Sequence, residues 1–506
     1  MSGKLLNAEE VAKHNSEQSC HVIVHGKVYD VTEFLPDHPG GKGIILKYAG
    51  KDATEAYDPI HPPGTLEENL APEKYLGEVD QSTLKKEEKE VTEEDKQIAK
   101  NKENLPMLSQ CLNLYDFEVV ARQVLKGTAW AYYSSGADDE VTMRENNTAF
   151  GRIWFRPRIL RDVSNIDFST SLLGQKSKMP IYITATALGK LGHPDGEKNL
   201  TIAAGKEGLI QMIPTLASCS FDEICDARVH EQQVQFFQLY VNSNRAVTEK
   251  IIRRAEERGV KGLFVTVDAP QLGRREKDMR IKFEDTGSRV QNDSKDDVDR
   301  SQGAARAISS FIDPSLSWDD LHWLRSVTRM PIVLKGVQTW EDAVRAAEMG
   351  LSGVVLSNHG GRQLDFSRSG IEILGEVVRE LKARKLFSPM FQLFVDGGVR
   401  RASDALKAVA MGATAVGIGR PFLYAYSAYG PEGVQHAIQL LKAEMEMNMR
   451  LIGAPTLKDL VPEMVDTRAL NQHVVFPETS ANTVYERMST AVGSPDEPVG
   501  KPVVKL

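Results

Sequence analysis

Beyond residue 105 the chain alternates short apolar runs with stretches of helical period. The runs occupy 180–186, 209–215, 234–240, 262–268, 331–335, 353–357, 393–396 and 415–419, and amphipathic patterns fill 244–258, 340–349, 371–383 and 402–411 between them. Runs this short predict buried parallel strands, and helical crossovers between them give the order of a (β/α)8 barrel, an α/β fold. Such barrels carry their chemistry at the C-terminal ends of the strands. Here those ends read Thr184 and Thr186, Thr215 and Ser218, Gln238 and Tyr240, Thr266 and Asp268, Lys335, Ser357 and His359, Asp396, and Arg420. Polar groups converging on one mouth must satisfy each other or a ligand, because an unpaired buried charge is costly.

The sixth run breaks abruptly into Ser357-Asn358-His359-Gly360-Gly361-Arg362. A histidine moves a proton near neutral pH, and an arginine three residues on offers a planar fork for a carboxylate. Taken alone the hexapeptide also fits a loop histidine beside a solvated arginine; the other strand ends favour a base and a cation facing one small organic acid. After the seventh and eighth runs stand Asp396-Gly397-Gly398-Val399-Arg400 and Gly417-Ile418-Gly419-Arg420-Pro421. Glycine and arginine at these two ends are where barrels commonly bind a phosphate, so a nucleotide-like cofactor is expected across the mouth. No dinucleotide fingerprint in a strand-turn-helix context accompanies them.

Residues 1–80 have a different texture, dense in turn residues, with His38 in a His-Pro-Gly-Gly loop and His61 beside proline, and a short helix over 43–48 between them. Two loop histidines can approach a flat ligand from both sides, the bis-imidazole arrangement of a haem iron. No further Cys or His completes a zinc tetrahedron. Residues 81–104 are nearly all charged and predict a hinge or solvated helix.

Composition narrows the class. The 506 residues exceed one ordinary core, so at least two domains are expected, with the barrel over 105–476 and a tail over 477–506. A net charge of -8 and a pI near 5.9 argue against a nucleic-acid surface and suit docking of a small basic protein. No run of eighteen apolar residues appears, so no membrane span is expected. Cys20, Cys111, Cys219 and Cys225 are scattered and read as reduced thiols. The start lacks a signal core or transit pattern, which points to the cytoplasm. The charged segment 271–317 between the fourth and fifth runs is expected to cover the mouth and to be open to proteases. The tail is expected to wrap a neighbour in an oligomer or stay loose.

Two resemblances add to this. The HPGG with a second histidine 23 residues later, around GGxxxxxxYAGxDATEAY, resembles the cytochrome b5-type haem domains, a small α+β fold. It implies that His38 and His61 ligate haem b. From 105 to about 476 the chain resembles the FMN-dependent α-hydroxy-acid oxidases and dehydrogenases through AWAYYSSGA, TVDAPQLGRREKD, SNHGGRQLD, VDGGVR and GIGRPF. By that resemblance His359 is the base, Asp268 stabilises its imidazolium, Arg362 and Tyr132 clamp the substrate carboxylate with Arg275 supplementing the charge, Tyr240 bonds the substrate hydroxyl, and Lys335 stabilises the reduced flavin. Thr184, Ala185, Thr186, Gln238, Thr266, Lys335, Ser357, Asp396, Arg400, Gly419 and Arg420 are implied FMN contacts. Pro214 stands where the family usually has a serine, and Thr215 or Ser218 are the nearby hydroxyls. Ala187 and Leu216 are implied beside the substrate side chain; their sizes admit a methyl group and crowd a phenyl ring, a lean worth about 1–3 kcal/mol.

A haem module fused ahead of such a barrel is similar to the flavin- and haem-containing L-lactate dehydrogenases that hand electrons to cytochrome c. The expectation is oxidation of an L-2-hydroxy acid, L-lactate before others, with FMN and haem b as cofactors. The resemblance further implies a homotetramer and, against the bare N-terminus, the mitochondrial intermembrane space. Two alternatives stay open here: an oxidase reoxidised by oxygen, and a haem electron carrier with an inactive barrel.

Overall fold

A computed structural model describes residues 5–38, 42–58, 61, 64–84, 91–285 and 312–473. The N-terminal module is a five-stranded sheet in the order Leu5–Leu6, Tyr75–Val79, Lys27–Asp30, Ser19–Val24, Asn15–Ser16. Alternation along Ser19–Val24 sends Cys20, Val22 and Val24 into a core with Tyr29, Val31, Leu35 and Ala49, while Ile23 packs on the other face with Val11, Val28 and Val79. The helices Lys42–Lys47, Thr54–Tyr57 and Thr65–Asn69 belong to this module. The first of them spans nearly the predicted 43–48.

The large domain is a closed eight-stranded parallel barrel. Its strands are β1 (Ile181–Ile183), β2 (Gln211–Ile213), β3 (Gln235–Leu239), β4 (Leu263–Thr266), β5 (Ile332–Val337), β6 (Gly353–Leu356), β7 (Gln392–Asp396) and β8 (Ala415–Ile418), with β8 returning to pair with β1. All eight fall within the predicted runs or overlap them. The predicted helices form as Arg245–Glu257, Trp340–Glu348, Gly370–Ala383 and Ala402–Ala410.

The interior is filled by Tyr182, Met212, Phe236, Phe264, Val333, Val355, Phe394 and Ala415, one from each strand. Side chains alternate with period two, so the next inward position on every strand lies one layer nearer the mouth. Those positions are Thr184, Pro214, Gln238, Thr266, Lys335, Ser357, Asp396 and Gly417. An apolar plug thus carries a layer of mostly polar groups, and the layer is polar because it faces a cavity instead of the core.

Three helices precede the barrel, Leu114–Val124, Gly127–Ser134 and Val141–Gly151, and the helix after β8 runs from Arg420 to Ile452 with a kink where Gly430 (φ 57°) precedes Pro431. The linker takes the second of its two predicted forms, a solvated helix. Its residues Glu93–Glu103 form a helix with a capping box, and this helix is tied to the barrel domain. Glu94 Oε1 accepts from Gly127 N at 2.7 Å, Lys126 pairs with Asp95 at 3.0 Å, and Asn101 donates to the Gln123 carbonyl at 2.7 Å. Charged side chains fasten what an apolar face could not. The centre of the 271–317 insertion and the 477–506 tail lie outside the described residues; the insertion's first part forms the helix Glu276–Asp285.

Candidate active site and histidine slot

A cavity of about 750 Å³ opens over the polar layer. Of the residues singled out in the barrel sequence, Tyr132, Thr184, Ala185, Thr186, Ala187, Leu216, Gln238, Tyr240, Thr266, Arg275, Lys335, His359, Arg362, Asp396, Arg400, Gly419 and Arg420 line it. Asp268 stands behind His359.

His359 Nδ1 lies 3.0 Å from Asp268 Oδ1, and Nε2 lies 3.2 Å from the Tyr240 hydroxyl. An ionised carboxylate only accepts, so Nδ1 carries the proton and the Nε2 lone pair faces the cavity, where it accepts from Tyr240. Burial pushes the His359 pKa below its ordinary value and Lys335 adds to this, while Asp268 pulls the other way without reversing it. Burial raises the Asp268 carboxyl, but His359 and Lys335 overcome that and hold it below the usual carboxylate range. The pair is therefore a neutral imidazole on an ionised carboxylate, the state a base requires.

The backbone at this point is strained. His359, Gly360 and Gly361 have φ of 60°, 66° and 77°, a left-handed run that only glycine enters freely. A Cβ on Gly361 would sit 2.5 Å from Met143 Cα, so glycine there is required twice over. The turn is held by Asn358, whose Oδ1 accepts from Gly361 N at 3.0 Å and whose amide exchanges two hydrogen bonds with buried Asn146 at 2.7 and 2.8 Å. Asn146 also lines the cavity and was missed from the sequence. Its signal was a polar residue on the buried stripe Thr142, Asn146, Ala149, Phe150 of its helix.

Arg362 donates to the Tyr132 and Ser135 carbonyls at 2.7 and 2.9 Å and lies 5.0 Å from the Tyr132 ring centroid. Burial brings the Arg275 guanidinium down to about 10, with Arg362 adding repulsion, and its Nε has no hydrogen-bond partner. Arg420 is likewise pushed down to about 10 by burial, and donates to the Gly360 carbonyl at 2.6 Å. Arg275, Arg362 and Arg420 thus crowd one cavity, and at Arg275 burial outweighs the attraction of Asp278, so the cavity is built to receive negative groups. Arg400, by contrast, is paired: its guanidinium meets Glu118 at 2.8 Å.

Lys335 Nζ lies 3.4 Å from Asp396 Oδ2 and from Ser357 Oγ. Burial disfavours its charge, but Asp396 and Asp268 more than offset that and raise its pKa. Ser357 Oγ accepts from His359 N at 3.1 Å and faces Lys335 Nζ, so it ties the base's turn to the lysine at the cavity. Pro214 does line the cavity, and neither nearby hydroxyl replaces a serine there. Thr215 Oγ1 donates to the Gln238 carbonyl at 2.6 Å and accepts from Tyr240 N, and Ser218 Oγ accepts from Lys190 N.

A planar, phosphate-bearing cofactor fits this lining. Thr186 Oγ1 and Asp396 Oδ1 are buried without partners, the Arg420 helix begins at the wall, and Gly398 (φ 82°) lets the backbone pass so close to Asn146 that an added Cβ would lie 1.9 Å from its carbonyl oxygen. At one side Leu216, Tyr240, Ala269, Leu272 and Ile312 form an apolar wall with Ala187 against it.

In the N-terminal module the His38 and His61 rings lie with centroids 6.0 Å apart and planes 34° from parallel. That spacing suits one flat ring whose metal bonds a nitrogen of each imidazole at about 2 Å. His61 Nδ1 donates to the Tyr57 carbonyl at 3.1 Å, which leaves Nε2 for a metal, and its ring stacks on Tyr57 at 4.3 Å. Both histidines lie at the same slot.

Comparison with known proteins agrees with the two halves. The FMN-dependent dehydrogenase family matches residues 121–467, and the cytochrome b5-like heme/steroid binding domain matches 7–80. An L-lactate dehydrogenase (cytochrome) of Wickerhamomyces anomalus is 56% identical over 488 residues, covering 96% of this chain and 84% of that protein. A peroxisomal (S)-2-hydroxyacid oxidase of Arabidopsis thaliana is 42% identical over 368 residues, 71% of this chain and 98% of its own. Among solved structures, the recombinant flavin-binding domain of baker's yeast flavocytochrome b2 shares 49% identity with a TM-score of 0.71, covering 80% of this chain and all of that one.

Proposed function

Because this chain belongs to the FMN-dependent dehydrogenases and carries a cytochrome b5-like domain ahead of its barrel, we infer that it oxidises L-lactate to pyruvate and delivers the electrons one at a time to cytochrome c. The observation that carries this reading is the neutral His359 on Asp268, opening with Tyr240 into a cavity that also holds Arg362 and Arg275. When bound, FMN supplies a two-electron acceptor and haem b a one-electron carrier.

Arg362, with the Tyr132 hydroxyl, holds the substrate carboxylate, and Arg275 adds charge behind it. Tyr240 bonds the substrate hydroxyl oxygen that becomes the ketone. His359 Nε2 takes one proton, from the α-carbon or from the hydroxyl, and Asp268 stabilises the imidazolium that results. Lys335 would stabilise negative charge on a bound flavin, and Ser357, hydrogen-bonded to it, would contact the FMN beside it. Thr184, Ala185, Thr186, Gln238, Thr266, Asp396, Gly419 and Arg420 hold FMN, with Arg400 balanced by Glu118 at the edge. Ala187 and Leu216 abut the substrate's methyl end. His38 and His61 hold the haem, and assembly as a homotetramer belongs to the same reading.

The test is an anaerobic absorbance scan of the holoenzyme before and after L-lactate. Flavin bleaching followed by growth of the sharp haem α-band is expected. Peroxide release in air at the rate of lactate turnover, with no haem reduction, would replace this reading with an oxidase.

A further inference from the structure

The loops after β1 and β2 carry Ala187 and Leu216, and a carboxylate outside the cavity lining joins them. Glu197, fully buried, accepts from Gly189 N at 2.8 Å and Ser218 N at 2.9 Å through Oε1, and from Cys219 N at 3.1 Å through Oε2. Gly189 follows Ala187 by two residues and Ser218 follows Leu216 by two, so the carboxylate sets the separation of the two side chains. Leu188 N donating to the Leu216 carbonyl at 3.3 Å and Lys190 N donating to Ser218 Oγ at 3.2 Å close the same seam.

The fit around Glu197 is tight. A Cβ on Gly189 would lie 2.7 Å from Glu197 Cδ, and Leu188 is held at φ 58°, with its carbonyl accepting from the Tyr133 hydroxyl at 2.7 Å. Three main-chain N–H groups aimed at one carboxylate are a preorganised anion cradle, and only an acceptor at both oxygens satisfies it. Glutamine keeps the shape but turns an N–H donor onto a backbone N–H, leaving that pair unsatisfied.

We propose that Glu197 is the positioning residue for substrate size: by clamping the β1 and β2 loops it fixes the Ala187–Leu216 gap and so the discrimination between short and bulky 2-hydroxy acids. The inference rests on the function proposed above for the substrate's identity, and its test reads binding as well as turnover.

The experiment compares holoenzyme with Glu197→Gln and Ser218→Ala, the second removing the hydroxyl that accepts from Lys190 N and leaving the Ser218 N–H in place. Calorimetric titration with pyruvate and with a phenyl-bearing 2-keto acid gives a Kd ratio, and kcat/KM is measured for the corresponding 2-hydroxy acids. For E197Q the preference for the small ligand is expected to fall about tenfold, mainly through KM and Kd, with flavin reduction by the bulky acid gaining relative to lactate. S218A is expected to shift the ratio the same way by a smaller factor. An unchanged ratio in flavin-loaded E197Q overturns the proposal. If E197Q does not fold, an unchanged ratio in S218A overturns it and a lowered one supports it. Wild-type protein that binds both keto acids with a size preference but does not oxidise lactate would defeat the functional reading alone, and the Kd ratios of the variants would still decide this one.

Discussion

The Asp268 carboxylate meets the His359 imidazole at 3.0 Å across the barrel mouth, although 91 positions separate them in the chain. The contact does two things at once. It places the proton on Nδ1, and it leaves Nε2 beside the Tyr240 hydroxyl at 3.2 Å. Position and tautomer of the base both depend on one oxygen.

Asp268→Asn is therefore expected to be far worse than a loss of charge. The amide would present an N–H to Nδ1, move the ring proton to Nε2 and block the lone pair that accepts. Flavin reduction by lactate, followed by stopped flow, should slow by about 10²–10⁴-fold with a much smaller change in substrate affinity. A variant within threefold of wild type would show that the pair is structural only.

The pH profile has a defined sign. Because burial and Lys335 lower the His359 pKa, the base stays neutral until the pH drops below the ordinary imidazole value, and kcat/KM should hold to that point and then decline with falling pH. Asp268 raises that pKa and Lys335 lowers it, so Asp268→Asn should move the acid limb to lower pH and Lys335→Met to higher pH. Opposite displacements in the residual activities are the check; a common shift would point to another titrating group.

Gly398→Ala tests the close approach of the loop after β7 to Asn146. The new Cβ would lie 1.9 Å from the Asn146 carbonyl oxygen at a φ of 82°, so either the loop or the helix Val141–Gly151 must retreat. The cost is about 1–3 kcal/mol, enough to lower the barrel's Tm by several degrees. Flavin content of the purified protein should fall while haem content is kept. Full flavin loading with an unchanged Tm would mean that the close approach is not needed.

His61→Ala separates the two halves of the chain. Without the second imidazole the 6.0 Å slot holds one ligand, and the bis-imidazole haem spectrum should disappear. Flavin reduction by lactate should stay within about twofold of wild type, because nothing in the barrel changes, while cytochrome c reduction should fall by about 10²-fold or more. Equal losses in both steps would contradict separate roles for the two domains.

Much of the barrel was readable because strand burial is written locally. The run Gly353-Val354-Val355-Leu356 has both faces apolar, and the break into Ser357 marks the rim without any knowledge of neighbours. The linker's solvated helix was legible, but its attachment was not, for the converse reason. Glu93–Glu103 has no apolar face, and its attachment through Glu94, Asp95 and Asn101 depends on which groups stand opposite in space.

Residue types and their positions along each strand, which follow from period-two alternation, are what the chain alone determined in the barrel: apolar runs ending in a polar rim. Ser357 Oγ meeting both Lys335 and His359 N, Arg400 being met by Glu118, Asn146 bracing the strained His359 turn and Glu197 joining two loops were decided only by tertiary structure. The physical reason is that hydrogen bonds and ion pairs act over about 3 Å between groups that chain closure, not sequence spacing, brings together.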